Sequence, residues 1–278
     1  MKRILVPTDF SVKSKSGVRF AIHWAAQQKL ELIFVHVVHL WKRSQWTDSY
    51  FEKYVEEEEK NYRLKLEKFI TGIYKGMHAK KSKHSFVIIQ GIGGSISILD
   101  YCQKDKNIDF ICISTRGAGK ANRVLGTNTG NLITHSEVPV LAVPENYKVS
   151  NIRKVLYATD LRNYSEEIKK VIAFASPFKA PIDVLHFTWP DETIFDKKIV
   201  DAVFKKQYKY TLNVTFEENG VLYSLVENLQ NQIRLKKPSL VVMFTNQNRT
   251  FFQKIFLPSQ AEKLSFQLKV PLLVFNKP

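Results

Sequence analysis

The residues best suited to chemistry lie between positions 114 and 130, which read Ser114-Thr115-Arg116-Gly117-Ala118-Gly119-Lys120-Ala121-Asn122-Arg123-Val124-Leu125-Gly126-Thr127-Asn128-Thr129-Gly130. Glycines let a backbone approach an anion closely, and a helix starting at Thr127 would offer it free amides and the positive end of a dipole. Arg116, Lys120 and Arg123 add positive charge, and the hydroxyls of Thr127 and Thr129 can donate to phosphate oxygens. Together these parts make a phosphate cradle; the plainer alternative is a glycine-rich connector with a threonine N-cap. The cradle is neither a Walker A loop nor a Rossmann fingerprint, because G-x-x-x-x-G-K-[ST] and G-x-G-x-x-G are both absent. Other catalytic patterns are missing too. The seven histidines show no H-E-x-x-H spacing, no G-x-S-x-G elbow occurs, and Cys112, mid-strand, and Cys102, on a predicted helix, read as buried hydrophobes.

Such a loop needs a strand before it and a helix after it. Apolar runs at Ile4–Val6, Leu32–Val38, Phe86–Ile89, Ile108–Ile113 and Val138–Val143 alternate with stretches of helical period at about Val12–Gln28, Ser49–Gly76, Ser95–Lys104 and Thr127–His135. Continuous apolar strands of this kind are buried on both faces, which predicts an α/β fold with a parallel sheet covered by helices on each side. Ligands of such sheets bind outside the carboxyl ends of the strands, where strand order reverses. That rule selects Pro7-Thr8-Asp9, His36-Val37-Val38, Gln90 to Gly94, and the segment after Thr115 as the loops to inspect. Gly91, Gly93 and Gly94 read as a turn into the third helix, with Ser95 near its N-cap.

The whole pattern occurs twice. Lys2-Arg3-Ile4-Leu5-Val6-Pro7-Thr8-Asp9 returns as Arg153-Lys154-Val155-Leu156-Tyr157-Ala158-Thr159-Asp160, and Val138-Pro139-Val140-Leu141-Ala142-Val143 returns as Val270-Pro271-Leu272-Leu273-Val274-Phe275. Further strands are expected at Ile182–Phe187, Leu212–Phe216 and Leu240–Phe244, giving domains 1–147 and 152–278 with a boundary near 146–152. In the second half the offset shrinks from 151 to 130 between the first and fourth strands, a loss assigned to the second helix. The second copy of the cradle, Thr245 to Ser259, has lost every glycine; Pro258 stands in place of Gly126, and Phe251 and Phe252 would crowd an anion.

Composition narrows the partners. The chain has 278 residues, 44% hydrophobic and 24% charged, enough for two domains and unlike a disordered or fibrous chain. The +16 charge is spread over both halves; without a helix-turn-helix, zinc-finger or RNP pattern it argues only weakly for nucleic acid. Two cysteines and an N-terminus interrupted by Pro7, Thr8 and Asp9 suggest a chain that is not exported and resides in the cytoplasm, and no apolar stretch is long enough for a membrane helix.

An Asp just after the first strand, a His-Val pair in the second, and a glycine-rich loop closing in Gly126-Thr127 ahead of a final helix and a Val-Pro-Val-Leu strand resemble the universal stress protein family. The resemblance spans both halves, so the chain is identified as a tandem two-domain member, each half a five-stranded parallel open sheet of the adenine nucleotide alpha hydrolase-like type. Members that bind ATP carry G-x-x-G, nine residues, then G-[ST]; here the first glycine position is Ser114, the second is Gly117, and eight residues precede Gly126. The resemblance implies that Pro7, Thr8 and Asp9 line an adenosine pocket with Val37, and that Gly117, Gly126, Thr127, Asn128 and Thr129 hold the phosphates, with Ser114 and Arg116 at the same site. Asp9 suits that pocket chemically, since a carboxylate accepts hydrogen bonds from a ribose hydroxyl or an adenine amino group; as an isolated residue it could equally cap the first helix. The expected ligand is ATP or a related adenine nucleotide, with or without Mg2+, in the first half only. The expected role is regulatory binding in stress response rather than catalysis, the alternatives being an interaction scaffold or a weak ATPase. Pro139 and Pro271 open the last strand of each half, which suits an edge that pairs. The two halves are therefore expected to form a pseudo-dimer through those strands, as the family does, and two chains could pair further into a homodimer.

Overall fold

The computed structural model describes residues 1–115, 127–188, 202–204, 206–218, 225–245 and 269–276. These fall into two compact units, residues up to 149 and residues from 150 onward.

In the first unit the strands are β1 (Lys2–Pro7), β2 (Leu30–Val38), β3 (His84–Gln90), β4 (Phe110–Thr115) and β5 (Val140–Pro144), and the helices are α1 (Lys15–Gln27), α2 (Asp48–Gly76), α3 (Gly94–Lys104) and α4 (Thr127–His135). The strands lie in the order β3-β2-β1-β4-β5, every pair parallel. After β2 and β3 have been laid to one side of β1, β4 returns to its other side. This is the reversal that opens a crevice at the carboxyl edge of the sheet. The central strands are apolar because both faces are covered: Ile4, Leu5, Val6, Ile111 and Cys112 have no exposed surface.

Helix α1 buries Val18, Ala21, Ile22 and Ala25, an i, i+3, i+4, i+7 stripe, and packs on β4 and β2. It begins at Lys15 and not near Val12, because residues 8–14 are held in a turn of their own. The hydroxyls of Thr8 and Ser14 lie 2.8 Å apart, Ser11 N donates to Asp9 Oδ1 at 3.0 Å, and Phe10 has a φ of 61°. Strand β4 likewise starts at Phe110, two residues after Ile108. Arg3 fastens the preceding turn to β1: its backbone N–H donates to Asp109 at 2.7 Å and its guanidinium to Asp105 at 2.9 and 3.0 Å. Helix α2 is capped by Thr47, whose hydroxyl accepts from Tyr50 N, and it buries only the stripe Leu66, Ile70, Ile73 and Tyr74 in its second half.

The second unit holds β6 (Val155–Ala158), α5 (Tyr164–Ala175), β7 (Ile182–Thr188), β8 (Leu212–Glu218), α6 (Leu225–Lys236), β9 (Leu240–Thr245) and β10 (Leu272–Asn276). Its order, β10-β9-β6-β7-β8, is again parallel throughout. The registers repeat as well, with Ile4 opposite Phe110 in one unit and Val155 opposite Leu240 in the other. The chain between β7 and β8 spans 189–211, where the equivalent connection in the first unit spans 39–83, so the shortening falls on that crossover. Among the described residues, no helix is long and apolar enough to cross a membrane.

Candidate functional site

A cavity of about 290 Å³ opens at the carboxyl ends of β1, β2 and β4, in the crevice that the strand reversal creates. Its floor is Pro7, Thr8 and Asp9 after β1 and Val35, His36 and Val37 of β2; one wall is Ile113 and Ser114 of β4 with Ser11, Lys13 and Ser14 of the β1–α1 turn. The opposite wall is built from two helix N-termini, Gly94 and Ile98 of α3 and Asn128 and Thr129 of α4. A Cβ built on Gly94 would stand 3.3 Å from the Asn128 amide nitrogen, which measures how closely the two helix starts approach. The first amides of a helix have no partner within it, so two such ends favour an anion in the cavity, beside Lys13, whose ammonium is paired with Glu145 at 3.5 Å.

Ser114 is the hinge of the wall. Its hydroxyl donates to Ser14 O at 2.8 Å, accepts from Gly17 N at 2.7 Å and lies 3.0 Å from the Ser16 hydroxyl. Its carbonyl accepts from Thr129 Oγ1 at 3.3 Å, so one residue fastens α1 and α4 to β4. This needs a glycine at position 17, since a Cβ there would meet Ser114 N at 2.7 Å and Ile113 C at 3.0 Å. Thr8 is buried and bonded to Ser14, whereas Asp9 is exposed at the rim and forms an Asx-type bond to Ser11 N; the N-cap of α1 is Ser14.

His36 adds a titratable group. Its Nδ1 is 2.8 Å from Thr8 O, which can only accept, so Nδ1 carries the proton and Nε2 of the neutral ring is an acceptor. Burial pushes the imidazole below its ordinary value; the bond to Thr8 and the charge of Asp9 oppose this, and Lys65 reinforces it. The ring lies against Phe10, 4.1 Å between centroids, and Tyr62, 5.5 Å, with the Lys65 ammonium 5.9 Å from the Phe10 ring.

Pro7, Thr8, Asp9, Val37, Ser114, Asn128 and Thr129, distant in sequence, are thus brought to one cavity. Thr127 opens α4, while Arg116, Gly117, Lys120, Arg123 and Gly126 lie outside the described residues. Sequence reasoning missed Ser11, Lys13, Ser14, Ile98, Val35 and Ile113, and it read Gly94 first as a turn residue within a loop to inspect. Nothing local marks the first four, which reach the site because the β1–α1 turn and α3 border it.

The model of the universal stress protein family matches residues 1–144, more than half of the chain. The chain belongs to the universal stress protein family. A search of curated proteins finds no match. Among solved structures, a universal stress protein from Archaeoglobus fulgidus DSM 4304 aligns over 99% of this chain and 98% of its own, with a TM-score of 0.71 and 16% identity. A functionally unknown protein from Pseudomonas aeruginosa PAO1 aligns over 99% and 92%, with a TM-score of 0.55 and 14% identity. At these identities the likeness is one of fold, the adenine nucleotide alpha hydrolase-like sheet.

The second half of this universal stress protein keeps part of the same frame. Thr159 and Asp160 follow β6 as Thr8 and Asp9 follow β1, Leu161 takes the left-handed conformation of Phe10 with a φ of 60°, and His186 Nδ1 lies 2.9 Å from Thr159 O. The wall differs. The buried stripe Ile168, Val171 and Ala175 of α5 matches Val18, Ala21 and Ala25 of α1, which sets Glu167 in the place of Gly17. Phe244 stands where Ser114 stands in the register. Glu167 is buried and accepts a hydrogen bond from the Tyr157 hydroxyl, and the Tyr157 ring packs edge-on against Phe244, which stacks on Phe275.

Proposed function

We propose that the first half of this protein binds ATP or a related adenine nucleotide, that the second half does not, and that the protein regulates a stress response by binding and not by turnover. The observation that carries the reading is the cavity itself, where seven residues selected from sequence meet two helix N-termini and a lysine. Its volume is at the lower end of the range for small-molecule sites, about 300 Å³. A nucleotide has chemistry for each part: Asp9 and His36 Nε2 accept hydrogen bonds from base or ribose, and the amides of α3 and α4 with Asn128 donate to phosphate oxygens. The glycines that follow Thr115 would complete the phosphate side.

In the second half, Glu167, Tyr157 and Phe244 replace the Ser114–Gly17 contact that builds the first cavity's wall, and Phe244 puts a bulky ring where the lining residue Ser114 stands. Pro258 in place of Gly126 removes an amide donor besides. Calorimetric titration of ATP into the wild type, Gly126→Asp and Pro258→Asp tests the proposal. The expected result is binding to the wild type, a loss of roughly tenfold to a hundredfold from Gly126→Asp, and little change from Pro258→Asp. Equal losses would contradict the asymmetry; no binding to the wild type would favour a scaffold, and ATP turnover that Asp9→Ala abolishes would favour an enzyme.

A further inference from the structure

Strand β3 is an edge of the first unit's sheet, and it is an unusual one. Its sequence, His84-Ser85-Phe86-Val87-Ile88-Ile89-Gln90, has no proline, lysine, aspartate or glutamate, and Phe86 to Ile89 are all half-exposed. Edge strands are commonly protected by just such residues, because an open row of amides and carbonyls invites another strand. The corresponding edge of the second unit, β8, ends in Glu217 and Glu218. Among the described residues, the register with β2 identifies the groups of β3 that have no strand partner. Lys83 O accepts from Leu32 N and Gly91 N donates to Val38 O, so the odd-numbered residues bond to β2. His84, Phe86, Ile88 and Gln90 therefore present their N–H and C=O groups outward.

The helix beside this edge is polarised in charge. Between 48 and 61, α2 carries six carboxylates against Lys53 and Lys60; between 62 and 83, the rest of α2 and the turn into β3 carry seven lysines and arginines against Glu67 alone. The helix packs on β3 and β2, running opposite to β3. Glu56 and Glu59 line a groove with Lys60, Arg63 and Ile88 towards the end of the strand, below the acidic run of α2, whereas exposed Lys80 and Lys81 precede its start.

We propose that β3 pairs antiparallel with β3 of a second copy of this chain, so that the acidic half of each α2 lies beside the basic half of the other. A twofold axis perpendicular to the sheet keeps both α2 helices on one face and reverses one against the other. That places Glu56 and Glu59 of each copy near Lys80 and Lys81 of its mate, twice over. The backbone edge supplies affinity, as in other strand additions, and the charges select antiparallel pairing with a like chain. A parallel neighbour would set acid beside acid and base beside base. A short acidic peptide would satisfy the lysine end and meet Glu56 and Glu59 at the other.

Sedimentation of the full chain over a wide concentration range tests this. The wild type is expected to reach twice the chain mass, with weaker association at high salt. Ile88→Lys, which adds charge to the edge near Glu56 and Glu59 of its own chain, should abolish the dimer. Glu56→Lys/Glu59→Lys and Lys80→Glu/Lys81→Glu should each weaken self-association roughly tenfold or more, since they juxtapose like charges. Mixing the two double variants should restore a mixed dimer of near wild-type affinity, because every contact across the axis is then complementary. Circular dichroism and the unfolding transition of each variant identify any that has failed to fold, and the exposed positions 56, 80 and 81 make the mixing result independent of Ile88→Lys. A wild type of single-chain mass at every concentration would overturn the proposal. So would a dimer insensitive to all three variants, which would lie on another surface, or charge variants that fail to recover on mixing.

Discussion

Gly17→Ala should destabilise the first unit even though alanine is the better helix former. In an open helix interior the exchange stabilises by about 0.5–1 kcal/mol. At position 17 the new methyl would meet Ser114 N at 2.7 Å and Ile113 C at 3.0 Å, both backbone atoms of β4 that cannot turn aside. Relieving that overlap means moving α1 away from the sheet, for which overpacking of a core costs about 1–3 kcal/mol. The same movement stretches the 2.7 Å bond from Gly17 N to Ser114 Oγ, a further 0.5–1.5 kcal/mol or so. The balance is a loss of about 0.5–4 kcal/mol. Gly72→Ala on α2 is the control: its Cβ would meet nothing within 4 Å, so the same change there should raise stability by about 0.5–1 kcal/mol. Urea unfolding of both variants, followed by the fluorescence of buried Trp24, reads the two signs. A Gly17→Ala protein as stable as the wild type, or a destabilised Gly72→Ala, would refute the claim that close contact between α1 and β4 governs this wall. Because Ser114 also anchors α4, Gly17→Ala should weaken ATP binding as well.

Asn128 is exposed at the second position of α4, so Asn128→Ala should leave the unfolding midpoint almost unchanged while weakening ATP by roughly tenfold to a hundredfold in calorimetry. Burial holds the His36 imidazole below its ordinary value of about 6.5, so the unfolded chain binds its proton first as pH falls; stability present above that value should decline on acidification below it. Thermal unfolding across this range should show the decline, and His36→Gln should flatten it; an unaltered profile would remove His36 as the cause. Tyr157→Phe takes away the hydroxyl that donates to the buried Glu167 carboxylate and should cost the second unit about 1–3 kcal/mol in urea unfolding, with no effect on ATP affinity.

The strands were legible because strands covered on both faces leave an uninterrupted apolar run, as in Ile4–Val6 and Leu240–Phe244, and because the repeat supplied a second reading of each. The start of α1 was not, since it depends on a hydroxyl contact between Thr8 and Ser14 and on a left-handed Phe10, neither of which leaves a periodic trace. The part of the site that follows β1 and opens α4 could be read from residue type and from family resemblance. Ser114 was placed at the site by the family resemblance, but its structural role was not legible: its three-way bond with Ser14, Ser16 and Gly17 joins residues about a hundred positions apart, which only the packing of α1 on β4 brings together. The replacement of Gly17 by Glu167 in the second unit was hidden for a related reason, because the turn before α5 is shorter by one residue and the simple offset pairs Glu167 with Ser16 instead.

The number of ATP molecules held by each chain tests the central claim most directly. Native mass spectrometry of the full protein, titrated with ATP to saturation, should show one nucleotide per chain, retained by Tyr157→Phe and lost in Asp9→Ala/Asn128→Ala. Two nucleotides per chain would place a working site in the second half and contradict the account; none at saturation would contradict the assignment of the first-half cavity to a nucleotide.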